Sequence, residues 1–247
     1  MYKLTLAKTA GFCFGVRRAV DRAFQLAAEE TGAVTLGPVI HNPQVVERLA
    51  RLGLCPVDSP EEVPEGRTVL IRSHGVGKSV YDALAGRKIV DCTCPFVEKI
   101  HRIAAEQSAA GKTILIAGDR GHPEVQGIIG YCQTTAIPFQ TEEELMEILK
   151  KLKDEGEKPV AVVAQTTFHE ILWKKFQQII EKLYTNAQIF DTICSATTAR
   201  QKEAVELARK SDFMVVIGGR SSSNTLKLFE ICSRFCETIL AESKSDL

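Results

Sequence analysis

Asp91-Cys92-Thr93-Cys94-Pro95-Phe96 is followed by Gly118-Asp119-Arg120-Gly121-His122-Pro123-Glu124, with His122 standing 28 residues after Cys94. Between them lie an amphipathic run over 97–110 and a short apolar run over 113–117, which read as a helix and then a strand ending at the polar loop. The same unit occurs twice more. Cys13, in G-F-C-F-G-V, precedes His41 of G-P-V-I-H-N by 28 residues, and Cys194, in D-T-I-C-S-A, precedes Ser222 of G-G-R-S-S-S-N by 28. Asp91 and Asp191 each sit three residues before their cysteine. One offset repeated three times with matching flanks predicts three related α/β units around a common centre.

Outward from these anchors the alternation continues. Runs rich in Val, Ile and Leu fall at 34–40, 68–73, 88–90, 113–117, 160–164 and 213–217. Amphipathic stretches fall at 17–30, 97–110, 142–153, 170–184 and 199–211. Short apolar runs separated by longer amphipathic ones predict an α/β fold with mostly parallel sheets. The linker-like segments are 57–66, which holds Pro60 and Pro64, and 153–159. The expected units are 14–94, 95–192, and 193–247 together with 1–13. A second polar loop follows in two of them, placing His74 61 residues after Cys13 and Thr166 72 after Cys94. Only 53 residues follow Cys194, so the third unit is expected to lack that second strand and loop.

Composition narrows the class. Of 247 residues, 45% are hydrophobic and 25% charged, which excludes disorder and a collagen-like chain. Lys+Arg and Asp+Glu are equal at 31 each, without the basic excess of a nucleic-acid protein. No apolar run approaches the ~18 residues of a membrane span, and the first ten residues lack a signal-peptide pattern. A cytoplasmic protein is expected. Eight cysteines in such a chain read as packing, metal or redox residues rather than a disulfide framework.

Strand ends in open α/β sheets meet helix N-termini, where ligands bind. Three units facing one centre would gather Cys13, Cys94 and Cys194 with the loops of His41, His74, His122, Glu124, Thr166, Ser222, Ser223 and Asn224. Three thiolates suit zinc or an iron–sulfur cluster, and the lack of a C-x-x-C pair counts against a zinc ribbon. The hydroxyls, amide and imidazoles of the loops suit a phosphate, and desolvation of Glu124 would make it a proton donor. Cys55, Cys92, Cys132, Cys232 and Cys236 read as packing residues, the last two on one helix face. His101 and His169 are expected in solvated or helix-capping positions, and Trp173 in the core.

The motifs also resemble those of a known family. G-F-C-F-G-V at 11–16, G-P-V-I-H-N-P-Q-V-V at 37–46, I-R-S-H-G-V at 71–76 and D-C-T-C-P-F-V at 91–97 resemble its motifs. So do G-H-P-E-V at 121–125, Q-T-T at 165–167, T-I-C-S-A-T-T-A-R-Q at 192–201 and S-S-S-N at 221–224. Along nearly its whole length the sequence resembles the IspH/LytB family of 4-hydroxy-3-methylbut-2-enyl diphosphate reductases. The resemblance implies a trefoil of three α/β units around a [4Fe-4S] cluster held by Cys13, Cys94 and Cys194, with one iron open. It implies that His41, His74, Ser222, Ser223 and Asn224 hold a diphosphate, with His122 beside the substrate. Thr166 would order the hydroxyl end and its water, and Glu124 would protonate the leaving hydroxyl. Electrons would come from ferredoxin or flavodoxin, and the products would be isopentenyl and dimethylallyl diphosphate, in the last step of the non-mevalonate pathway. Neither a nucleic acid nor a membrane is an implied partner, and a monomer or homodimer is expected. The family pattern continues with a further strand and a Gly-Ala-Ser loop, of which 238–247 resembles only the start. Two competing readings, an iron–sulfur carrier or redox sensor and a zinc hydrolase, leave Glu124 unused or lack zinc spacing respectively.

Overall fold

The computed structural model describes residues 3–246. Ten strands alternate with nine α-helices among them. The first sheet holds β1 (Val34–Leu36), β2 (Cys55–Val57), β3 (Val69–Ile71) and β4 (Ile89–Asp91), in the order β2-β1-β3-β4. The second holds β5 (Thr113–Ala117), β6 (Ala136–Phe139), β7 (Val160–Ala164) and β8 (Ala187–Ile189), in the order β6-β5-β7-β8. The third pairs β9 (Phe213–Ile217) with β10 (Glu237–Ala241). Every registered pair is parallel, so all the strand C-termini of a sheet end on one side. In the first two sheets the inner strands are buried on both faces, as expected of β-branched runs between helix layers.

Three long helices begin directly after the repeated cysteines: α1 (Phe14–Glu29), α4 (Pro95–Ala109) and α8 (Ser195–Ala208). Shorter helices leave the polar loops, namely α2 (Pro43–Arg51), α3 (Lys78–Ala83), α5 (Pro123–Ile129) and α9 (Ser223–Cys232). The outer helices of the second sheet are α6 (Glu142–Asp154) and α7 (Glu170–Leu183). A full capping box between Thr141 and Glu144 starts α6, whose first turn is acidic and last turn basic, in line with the helix dipole.

Among the described residues five apolar clusters fill the interior, and each is built from one sheet and the helices on it. Two lie on opposite faces of the second sheet, one around Trp173, Phe176 and Tyr184 and one around Ile100, Ile116 and Val163. Two more flank the first sheet, and a small one covers the third. Trp173 is in the core as expected, its indole N–H donating to Asp191 at 3.2 Å.

Several expectations are corrected in detail. The apolar run at 34–40 is a strand only to Leu36, because Gly37 at φ +68 turns the chain into its loop. The outer strands β2, β6, β8 and β10 escape the apolar pattern, being short or half-exposed. The third sheet does hold a second strand, β10, though in the position of β2 and β6. Among the described residues no strand pairs with β9 where β3 pairs with β1 and β7 with β5. Phe213, Val215 and Ile217 of β9 stay exposed. Cys236 lies beyond the end of α9, so it shares no helix face with Cys232.

Candidate functional site

Each repeated cysteine is the N-cap of its helix. None belongs to a disulfide, and all three are half-buried. A Cβ added at Gly15, in the first turn of α1, would lie 2.5 Å from the Sγ of Cys94, so α1 approaches α4 at a point where only glycine fits. Burial pushes the Cys94 thiol up, backbone N–H groups of Phe96 and Val97 pull it down, and the nearby Cys13 and Cys194 push it up again. Cys13 and Cys194 thus stand near enough to act on Cys94. The three thiols do not share the close spacing of a single-ion site, where Zn–S bonds of ~2.3 Å would hold tetrahedral sulfurs about 3.8 Å apart. Among the described residues only His41, His74 and His122 bring three ligand atoms within 4.8 Å of one another. A cage of several irons holds its cysteine sulfurs farther apart than one ion does, so three free thiols at three helix N-termini fit an iron–sulfur cluster.

The histidines form the second part of the site. Their ring centroids are 4.5 Å apart for His41 and His74, 5.3 Å for His41 and His122, and 5.2 Å for His74 and His122. His122 caps α5, its Nδ1 accepting the backbone N–H of Glu124 at 3.1 Å. A neutral imidazole that accepts at Nδ1 carries its proton on Nε2, so His122 presents a donor. Such a ring suits an anion and not a cation. Nε2 of His41 and Nδ1 of His74 are buried with no protein partner. Burial, followed by neighbouring charges, lowers all three, His122 to about 4 and His74 well below its ordinary value. At neutral pH the trio is uncharged.

The formal charge comes from Arg72, which sequence reasoning passed over. It follows β3 at the point where Leu36 pairs with Ile71, and its guanidinium packs against Gly37. Its Nε is buried and unpartnered, and none of the nine ion pairs among the described residues includes it. Its charge reaches all three histidines and opposes their protonation. A half-buried cation without a counter-ion, beside three neutral donors, is a place for an anion. The clue in the sequence was a charged residue directly after an apolar strand, in I-R-S-H-G.

Glu124, on α5, is 2% exposed. Its Oε1 accepts the N–H of Thr166 at 2.6 Å and its Oε2 the hydroxyl of Thr166 at 2.7 Å. Burial raises it to about 7 against those two bonds, so it holds a proton near neutrality. Thr166 in turn accepts the N–H of Cys194 through its carbonyl at 3.1 Å, linking the carboxyl to the cysteine centre.

The third unit closes the site. Ser222 caps α9 by accepting the N–H of Thr225 at 3.4 Å. Ser223 meets the hydroxyl of Thr167 at 3.0 Å and the amide of Gln165 at 3.5 Å, while Asn224 stands half-buried in the first turn. A Cβ at Gly219 would fall 2.1 Å from the carbonyl oxygen of His41, so this loop touches the first sheet's loop backbone to backbone. His101 and His169 are buried, not solvated. His101 stacks on Tyr131 at 4.4 Å, and His169 stands at the start of α7 without a side-chain cap bond.

The profile of the family described as LytB protein matches residues 4–247. The chain belongs to the LytB family. Among curated LytB relatives, 4-hydroxy-3-methylbut-2-enyl diphosphate reductase of Thermoanaerobacter sp. (strain X514) is 44% identical, over 95% of this chain and 82% of its own. The reductase of Clostridioides difficile (strain 630) is 40% identical, over 99% and 87%. A solved structure described as (E)-4-hydroxy-3-methyl-but-2-enyl diphosphate reductase, the terminal enzyme of the non-mevalonate pathway, aligns with TM-score 0.71 at 38% identity, covering all of this chain and 88% of that one. The E-1-hydroxy-2-methyl-but-2-enyl-4-diphosphate reductase of Plasmodium falciparum shares the fold at TM-score 0.86 and 24% identity. Among the described residues no helix of this LytB chain is long and apolar enough to cross a membrane.

Proposed function

We propose that this chain reductively removes the hydroxyl of 4-hydroxy-3-methylbut-2-enyl diphosphate. Two electrons and two protons enter, and isopentenyl or dimethylallyl diphosphate and one water leave. The observation that carries this is the junction of a buried, proton-holding Glu124 with an anion pocket and a three-thiol centre. Cys13, Cys94 and Cys194 would hold a [4Fe-4S] cluster, which would supply electrons singly and one iron as a Lewis acid. The diphosphate is bound by His41, His74, Ser222, Ser223 and Asn224, with Arg72 as the permanent charge. His122, fixed as a donor at Nε2, orients the substrate between the two halves of the site. Thr166 sets the carboxyl of Glu124 at the hydroxyl end, and Glu124 delivers the proton that makes the hydroxyl a water. The unit limits 14–94, 95–192, and 193–247 with 1–13 belong to the same proposal, as do cytoplasmic work and a monomer or homodimer. Contacts of Glu203 with Thr9 and of Arg200 with Gly11 support counting the N-terminal segment with α8.

The test is iron and acid-labile sulfide per chain after anaerobic purification, then substrate consumption driven by reduced methyl viologen. About four irons per chain and conversion to the two diphosphates are expected for the cluster type proposed. A protein that takes up zinc alone, or that holds the cluster without converting the substrate, refutes the proposal.

A further inference from the structure

Three segments that carry the proposed chemistry meet at a side chain to which it assigns no task. His101 lies on α4, seven residues after Cys94. A Cβ at Gly75, the residue after His74, would lie 2.7 Å from its Cε1. A Cβ at Gly127, on α5 one turn beyond Glu124, would lie 3.1 Å from its Nε2 and 3.7 Å from the carbonyl oxygen of His74. One edge of the imidazole is therefore pressed against both backbones, and Tyr131 stacks on the ring with centroids 4.4 Å apart. Farther along the same seam Gly77 meets Gly130 backbone to backbone, and the N–H of Lys78 donates to the Gly130 carbonyl at 3.4 Å. Gly75 stands at φ +67, so the loop of His74 reaches α5 through a conformation that favours glycine.

The ring is 4% exposed, and its Nε2 is buried with no protein partner. An apolar side chain would avoid the cost of that nitrogen, but not with the same shape. A phenyl ring is one atom larger and would enter the backbone of Gly75 or Gly127, and a leucine is not flat and would give up the stack on Tyr131. Burial holds His101 down at about 4 against the pull of Asp91, so at neutral pH it is uncharged and no proton source. What remains is a small, flat, rigid spacer.

We infer that His101 is the positioning residue that sets His74 against Glu124, and so fixes the distance between the diphosphate end of the substrate and its proton donor. The inference rests on the function proposed above. His101 acts through the two backbones it separates, one carrying the anion pocket and the other the carboxyl. A donor and a leaving group held by different units react only while their separation is kept, and a misplacement of about 1 Å can cost about 10²-fold in rate.

The experiment measures kcat of the cluster-loaded chain with reduced methyl viologen and, separately, the Kd for inorganic pyrophosphate, which fills the anion pocket alone. His101→Ala is expected to lower kcat about 30- to 100-fold, while the pyrophosphate Kd stays within about threefold and iron per chain is unchanged. The decline of kcat above pH 7 should remain, because the bonds from Thr166 to Glu124 are untouched. Gly127→Ala places a methyl against the ring of His101. Alone it should lower kcat about tenfold, whereas added to His101→Ala it should restore kcat about tenfold, a coupling that independent sites do not show. Turnover within about threefold of the unmodified chain in His101→Ala overturns the inference, as do additive effects in the double variant. Parallel losses of kcat, pyrophosphate affinity and iron also overturn it, since they mark a purely structural residue. Should His101→Ala fail to fold, Gly127→Ala decides alone, and a kcat within about twofold overturns the inference. An unmodified, cluster-loaded chain that binds pyrophosphate but converts no substrate refutes the function proposed above, and the inference with it.

Discussion

Replacing Glu124 by Gln tests the site at its most specific point. Glu124 is 2% exposed, and its carboxyl is raised from 4.5 to about 7 by burial, despite two bonds from Thr166. At ~1.36 kcal/mol per pH unit, the ionised carboxylate is disfavoured by about 3 kcal/mol relative to the unfolded chain. Because the folded value is the higher one, the acid form is the one folding favours. Its contribution is intact below pH 4.5 and is lost as pH rises through 7. The Gln side chain keeps an acceptor for the Thr166 N–H and offers its amide to the Thr166 hydroxyl, so the fold is retained. Between pH 4.5 and 9 the unmodified chain should therefore lose about 3 kcal/mol more stability than Glu124→Gln. Urea titrations of the reduced, cluster-free chain at both pH values, followed by the fluorescence of Trp173 in the core of the second sheet, read this difference for the unit that carries Glu124. In the loaded enzyme, loss of a positioned proton donor should cut kcat by about 10²- to 10⁴-fold, while substrate KM changes little. Unmodified enzyme should slow above pH 7 as the carboxyl ionises. Parallel pH–stability curves for the two proteins would refute the burial argument, and a Gln variant turning over within about threefold of the original would refute the proton role.

Three further outcomes are expected. Cys94→Ser should lower iron and sulfide per chain while leaving the fold intact, because Cys94 makes no side-chain cap bond and serine is a better N-cap; unchanged iron content would remove Cys94 from the ligand set. Arg72→Met should weaken inorganic pyrophosphate binding at least about tenfold in a calorimetric titration while raising stability by about 1–3 kcal/mol, since it deletes a half-buried charge with no partner; tighter pyrophosphate binding would contradict the anion assignment. On the acid side, His122 is depressed to about 4, so its contribution to stability is complete above pH 6.5 and lost as pH falls towards 4, at a cost of about 3 kcal/mol. His122→Asn should abolish most of that acid sensitivity in a pH-dependent thermal melt, and an unaltered profile would show that the histidine is protonated without penalty.

What the sequence made legible follows from which residues physics constrains twice. The runs at 113–117, 160–164 and 213–217 coincide with β5, β7 and β9, because strands within a parallel sheet leave few polar positions. Edge strands were hidden: β2 and β6 carry Pro56 and Pro138, which only an edge tolerates and which read as turn signals. The 28-residue offset located the cysteines and loops because strand–loop–helix geometry repeats with the sheet. Arg72 was missed because a single charge gives no period, and its meaning lies in the absence of a partner, which only coordinates show. His101 could have been placed, since Val97, Ile100, His101, Ala104 and Ser108 follow helical spacing and all are buried. The rotamer relation that fixes His122 as a donor depends on one hydrogen bond in three dimensions and leaves no trace in composition.

The apolar clusters have a consequence for cooperativity. Each of the five belongs to one sheet and its helices, so hydrophobic burial holds the sheets' layers together but does little to join one sheet to the next. What crosses the seams is backbone approach, as at Gly219 and His41, and polar contact, as between Ser223 and Thr167. Melting of the cluster-free chain should accordingly be broad or stepwise, with a calorimetric enthalpy larger than the van't Hoff enthalpy. Filling the centre should sharpen it into one transition, so that the cofactor would couple three cores that the polypeptide alone leaves nearly independent.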